Sequence, residues 1–173
     1  QLDKRGAPIK APFIIRVPIK LGDTFSIKYG GGDNFLTAIV EGEDPNNPRL
    51  IAGVDFASDL TGVLRIKAPP GLLPNNPGNN YKEYRTKTPL RKGTWQFIEL
   101  RVDENGMVEY YLNDKFEAKG LSYSADKAKT TEAKPPLETL VWMHGGSIYG
   151  SGIAEGSTLR RGPIEIRGYA VTK

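Results

Sequence analysis

Cysteine is absent from this chain, so no disulfide holds its fold and no thiol serves as nucleophile or metal ligand. A domain of 173 residues can bury a sufficient core without such links, so the absence leaves the compartment open. Histidine is scarce too. The one residue, His144, removes metal centres built on several His and Cys ligands. What remains is a calcium site of carboxylate and carbonyl oxygens, with Asp33, Asp55 and Asp59 as generic candidates, and no cofactor is expected. No run approaches the roughly eighteen apolar residues of a membrane-spanning helix, so a membrane is not an expected partner. No Asn-x-Ser/Thr triplet marks a glycosylation site.

A basic surface is also missing, although the net charge is +4. Lys4, Arg5, Lys10, Arg16 and Lys20 stand against Asp3 alone in the first twenty residues, and from Leu21 onward the two signs balance. Nucleic-acid binding needs clustered cations with interleaved aromatics, so nucleic acid is excluded as an expected partner. The opening Gln1-Leu-Asp-Lys-Arg5 ends in a dibasic pair of the kind that secretory processing enzymes cut. Residues 1–10 therefore read as a flexible N-terminal segment, either a processing remnant or an ordinary frayed end. Residues 11–173 read as a single domain of a secreted, extracellular protein.

What the chain has in plenty is turn chemistry. Gly 20 and Pro 13 make about a fifth of the residues, against roughly an eighth in an average protein. Between the turns lie short runs of strand period. Phe13, Ile15, Val17 and Ile19 alternate, and so do Phe25, Ile27 and Tyr29. Residues 35–40, 50–56 and 63–66 are further apolar runs. Ile98, Leu100 and Val102 precede the turn Asp103-Glu-Asn-Gly106, and Val108, Tyr110 and Leu112 follow it. Residues 137–143 and 163–171 read as strands. Residues 125–136 lack an apolar face and read as a crossover loop, while 69–80 is a long Pro- and Asn-rich loop. Nine to eleven strands without a long helix predict an all-β fold, a two-sheet antiparallel β-sandwich of jelly-roll type.

The stretch Gly93-Thr-Trp-Gln-Phe-Ile-Glu-Leu-Arg-Val-Asp-Glu-Asn-Gly-Met-Val-Glu-Tyr-Tyr-Leu-Asn-Asp114 resembles a signature of the concanavalin A-like lectin and glucanase superfamily. There a Gly-x-Trp strand leads through a turn into a strand ending Leu-Asn-Gly, and here Asp114 replaces that last glycine. A weaker likeness, carried by Gly120-Leu-Ser-Tyr123, Leu140-Val-Trp-Met-His-Gly-Gly-Ser147 and a terminal Ile-Glu-Ile-Arg strand, is to polysaccharide lyase families 14 and 20. Met143 and His144 stand where those families carry two aromatics. The resemblance implies a jelly roll that meets carbohydrate.

Glycoside hydrolysis needs two carboxylates facing one cleft. The Glu-x-Asp-x-x-Glu pattern of the glucanase branch is absent. A lyase needs a base, an acid and a group that neutralises the uronate. His144 is the candidate base, with an ordinary value of about 6.5, and Tyr149 and Arg85 complete that catalytic set. Lys82, Arg85, Lys87, Arg91 and Lys92 form the densest positive run, opposed only by Glu83. Such a run also suits a solvated strand edge. A lectin-like role asks only for ring faces and hydrogen-bonding groups, and its candidate ligand-binding residues are Tyr81, Lys82, Tyr84, Arg85, Tyr111, Trp142 and Tyr149. Trp142 shares a strand face with Leu140 and reads equally as core. The expected partner is therefore a polysaccharide or glycan, bound on the concave sheet face. The alternatives are a lyase of a uronic-acid polymer and a structural jelly roll for a protein partner. The oligomeric state stays open.

Overall fold

The alternation of Phe13, Ile15, Val17 and Ile19 produces β1, Phe13–Leu21, and sends all four with Leu21 into the interior. The computed structural model describes residues 11–28, 37–41, 49–67, 81–121, 141–142 and 153–168; for 38–41, 49–51, 67 and 141–142 it gives the backbone alone. The terminal segment 1–10, the loops expected over 69–80 and 125–136, Asp33, His144 and Tyr149 lie outside the described residues.

The other strands are β2 (Thr37–Glu41), β3 (Arg49–Phe56), β4 (Thr61–Lys67), β5 (Tyr81–Pro89), β6 (Trp95–Val102), β7 (Met107–Leu112), β8 (Lys115–Leu121), β9 (Val141–Trp142), β10 (Leu159–Arg161) and β11 (Glu165–Gly168). A six-stranded sheet runs β10-β1-β6-β7-β8, with β11 also on β1, and a five-stranded sheet runs β5-β4-β3-β2-β9. Every pairing is antiparallel. This is the two-sheet jelly roll that the strand pattern predicts.

β10 and β11 share one edge of β1. Ile19 faces Arg161 and Arg16 faces Glu165, so one extra residue is accommodated between them. The break falls where prolines remove donors from both chains, at Pro18 and Pro163, and Gly162 N–H still donates to the Pro18 carbonyl (2.9 Å). β6 and β7 turn on Asp103, whose Oδ1 accepts from the N–H groups of Asn105 and Met107 (2.8 Å each), while Gly106 takes φ 79°. β7 and β8 turn on Asn113 and Asp114, both left-handed at φ 51° and 66°.

The strand expected over residues 24–29 is not formed in its described part. Phe25 and Ile27 are buried, but only an isolated bridge, Ile27 to Ile153, is made. Side-chain bonds take the place of a ladder. Thr24 Oγ1 donates to the Gly156 carbonyl (3.0 Å), and Ser157 Oγ accepts from Ser26 N–H (3.1 Å).

The core lies between the sheets, with Ile98, Leu100, Val102, Val108 and Leu112 facing Ala52, Val54, Phe56, Leu64 and Ile66. Two tyrosines from opposite sheets each sit over a glycine of the other. A Cβ on Gly62 of β4 would lie 2.9 Å from Tyr110 Cε1, and one on Gly120 of β8 would lie 2.6 Å from Tyr84 Cε2. Gly120→Ala should therefore lower stability by about 1–3 kcal/mol through overpacking, seen as a lower urea midpoint. An unchanged midpoint would refute the contact.

Tyr110 is fully buried, and its hydroxyl has no hydrogen-bond partner among the described residues. Burial pushes its phenol well above the ordinary value of 10.0. The neutral form is thus favoured in the folded state, and this contribution to stability is complete below pH 10.0 and lost as pH rises further. Tyr110→Phe should raise stability at neutral pH by up to about 1 kcal/mol, seen as a higher urea midpoint, because an unsatisfied buried group is removed. Its advantage over the wild type should widen above pH 10.0. A lower midpoint would mean that the hydroxyl is satisfied.

Candidate functional site

In β3 and β4, Asp55 and Arg65 alternate with the core residues Val54, Phe56, Leu64 and Ile66, so the pleat sends both to the face away from the sandwich interior. Both are nevertheless buried, at 0% and 3% exposure. Arg65 Nη2 lies 3.5 Å from Asp55 Oδ2 and 3.0 Å from Glu83 Oε1. Asp55 Oδ1 also accepts from the N–H of Phe56 (2.7 Å). Glu83 passes the array on, with Oε2 3.8 Å from Arg85 Nη2. Arg85 ends it in solvent, its side chain 67% exposed.

Register extends this array across the sheet. Glu83 pairs with Arg65, Arg65 with Gly53, Gly53 with Ala38, and Ala38 with Trp142. One row of five strands therefore joins the ion cluster on β5 and β4 to the position of Trp142 on β9. Tyr81 and Arg85 occupy the same outer parity of β5, flanking Glu83.

The remaining predicted residues do not converge here. Lys82 and Tyr84 pair with Ile66 and Leu64 and take the inward parity. Tyr84 is half-buried against Gly120 and Ile66, where it ties β5 to β8. The positive run 82–92 is thus divided by the pleat between two faces of an edge strand. Past its end, Lys92 Nζ donates to the Asp23 carbonyl (3.2 Å). Tyr111 belongs to the other sheet and to the opposite outer face of the molecule. Arg101 lies over its ring (3.9 Å), its hydroxyl donates to Glu109 Oε2 (3.0 Å), and Phe116 meets its edge (5.7 Å).

That second outer face is organised by Glu99, which is buried and accepts from Arg16 (2.8 Å) and Arg101 (2.6 Å). Arg16 also lies over the Phe97 ring (4.3 Å) and donates to Asp114 Oδ1 (2.5 Å). The guanidinium beside Asp114 holds that carboxyl below the usual carboxylate range.

Metal chemistry finds no footing in what is described. No cluster of three or more His, Asp or Glu that could hold an ion occurs among the described residues. Asp55 faces Arg65, and Asp59 closes a turn by accepting from Thr61 N–H and Oγ1 (3.0 and 2.6 Å).

Sequence reasoning passed over Arg65 and Glu83 as site residues and weighed Asp55 only as a calcium ligand. The signal was present, since Arg65 is the one charge inside the run Val63-Leu-Arg-Ile66. Replacing Arg65 by Met should cost about 3–5 kcal/mol, because the buried Asp55 carboxylate loses the guanidinium beside it. The double variant with Asp55→Asn should recover most of that loss in urea denaturation. No recovery would show that the pair does not act as a unit.

No family model matches the chain, and no curated protein does. Among solved structures it is similar to a Trypanosoma rangeli sialidase in complex with a difluorosialic acid, with TM-score 0.52, 12% identity and 89% of this chain covered. The chain spans 20% of that sialidase's length. It is also similar to a galectin of Caenorhabditis elegans (TM-score 0.48, 10% identity, covering 92% of this chain and 87% of that one). An alginate lyase of Pseudomonas aeruginosa gives TM-score 0.49 at 9% identity, covering 94% of this chain and 69% of that one. The sialidase likeness is one of fold alone, in keeping with the two-sheet antiparallel β-sandwich that the strand pattern predicts.

Proposed function

We propose that this protein is a secreted carbohydrate-binding domain that holds a polysaccharide on the outer face of its five-stranded sheet. The observation that carries this reading is the buried Asp55–Arg65–Glu83 array on a face that the pleat turns away from the core. Buried ion pairs are commonly no more stabilising than apolar residues of the same volume. Charges retained at such a place therefore point to function rather than to stability. Held in orientation by the buried pair of Asp55 and Arg65, the more exposed Glu83 and Arg85 offer a carboxylate acceptor and guanidinium donors to sugar hydroxyls. Four strand spacings of about 4.8 Å make the row from Glu83 to the position of Trp142 about 19 Å long, which suits a chain of sugars better than a single one.

A lyase acting on a uronic-acid polymer is the second reading, and one placement favours it. β9 belongs to the same sheet and ends two residues before His144. Arg85 and Tyr81 on this face would then serve the uronate.

Binding to an immobilised panel of neutral and acidic polysaccharides tests the first reading. The wild type should retain at least one polymer, and Arg85→Ala, a change at an exposed side chain, should weaken that binding about tenfold or more. Binding to none, or binding indifferent to Arg85, would defeat the proposal. The same polymers incubated with the protein should give the ultraviolet absorbance of an unsaturated sugar only if the second reading holds, and His144→Ala should then abolish it.

A further inference from the structure

On the opposite side of the sandwich, the register of the six-stranded sheet aligns Trp95, Lys20 and Arg160 in one row across β6, β1 and β10. Lys20 and Arg160 are directly opposed like charges, an arrangement that destabilises a strand pair. Neither forms an ion pair among the described residues. Trp95 is 47% exposed, and among the described residues no ring or guanidinium covers it. Its neighbours on this face are already used, Phe97 beneath Arg16 and Tyr111 beneath Arg101. Beside the row opens a cleft of about 440 Å³, lined by Lys20, Asp23, Gly93, Thr158 and Arg160. A further cation, Lys92, donates to the carbonyl of Asp23, one of the lining residues (3.2 Å).

We infer that this corner is a second binding site, distinct from the five-stranded face, for an acidic glycan. A sugar ring stacks on Trp95, and its carboxylate or sulfate group is taken by Lys20 and Arg160 beside the cleft. The anion relieves the repulsion between the two cations, which is why the pair can be kept. Asp23 in the lining limits the site to a short anionic group. A nucleic acid suits it less well, because only one ring here is open and the face leads on to Glu99 and Glu165 opposite Arg16, which interrupt any track of phosphates.

The test is a fluorescence titration of the full chain carrying Trp142→Phe, so that Trp95 is the sole indole. Tetragalacturonate should change the Trp95 emission saturably, with an affinity that falls as salt rises. The neutral tetramer of glucose should bind about tenfold more weakly or not at all, and Lys20→Gln with Arg160→Gln should lose about tenfold or more in affinity for the acidic one. An equal response to the neutral tetramer, indifference to the double substitution, equal affinity for inorganic sulfate alone, or tighter binding of an oligothymidylate would each overturn the proposal. If Trp142→Phe fails to fold, the indole N–H resonance of Trp95 in the wild type, assigned by its loss in Trp95→Phe, gives the same readout. Arg85→Ala should leave the Trp95 response as in the wild type. The two faces can therefore fail separately, and a response that needs Arg85 would move the acidic chain to the other sheet.

Discussion

Packing of Phe13, Ile15, Val17, Ile19 and Leu21 along one side of β1 is the constraint from which the rest of the molecule follows. β1 is flanked by β6 on one side and by β10 and β11 on the other, so its register sets that of three neighbours. A slip of one residue would turn Arg16 and Lys20 into the interior and five large apolar side chains out of it. At about 25 cal/mol per Å² of apolar surface, that exchange costs more than the whole net stability of an ordinary domain. The register is therefore fixed, and with it the identity of the outward residues of β1, β6, β10 and β11. The face that carries Trp95, Lys20 and Arg160 is a consequence of this packing, because each outward position is the complement of a buried one.

The two outer faces use charge differently. On the six-stranded sheet, Glu99 is enclosed by Arg16 and Arg101, and each guanidinium covers a ring that would otherwise meet water. Arg16 also reaches Asp114, which holds a left-handed turn position where the superfamily signature has glycine. The backbone strain of a non-glycine residue at that φ is offset in part by an ion pair that glycine could not make. The cluster thus has a structural account: it ties β1, β6 and the β7–β8 turn together. On the five-stranded sheet, Arg65 lies between two carboxylates on neighbouring strands that the ladder already joins.

The fold was legible because its signals are local and repeated. Period-two alternation marked β1, β6 and β7, and Asn-Gly marked the turn between the last two. β5 was harder to see, since an edge strand rich in Lys and Arg shows no apolar alternation. Residues 24–28 misled for the opposite reason: Phe25 and Ile27 are spaced like a strand, but Thr24 and Ser26 find side-chain partners that a ladder would have displaced. The site was legible only in part. Composition could group Tyr81, Lys82, Tyr84 and Arg85 by nearness in sequence, but the pleat separates Tyr81 and Arg85 from Lys82 and Tyr84. Tyr111 was grouped with them by residue type and lies on the other sheet. Asp55, Arg65 and Glu83 come together only through the pairing of three strands, which no stretch of sequence encodes.

A buried charge cluster on strands that the ladder already joins is a pointer to ligand binding, and the comparison of the two faces makes that concrete. Removing Glu99 would release two arginines that also hold rings and a turn, so its retention needs no ligand. Apolar residues in place of Asp55, Arg65 and Glu83 would leave every backbone pairing of β3, β4 and β5 intact. Trp95, Lys20 and Arg160 form a smaller such place, where among the described residues an open ring stands beside two cations that make no ion pair. The two places differ in what they can hold. The first presents Glu83 and Arg85, one of each sign, and is proposed for the hydroxyls of a sugar chain, while the second presents an excess of cations over Asp23 and is proposed for an acidic group.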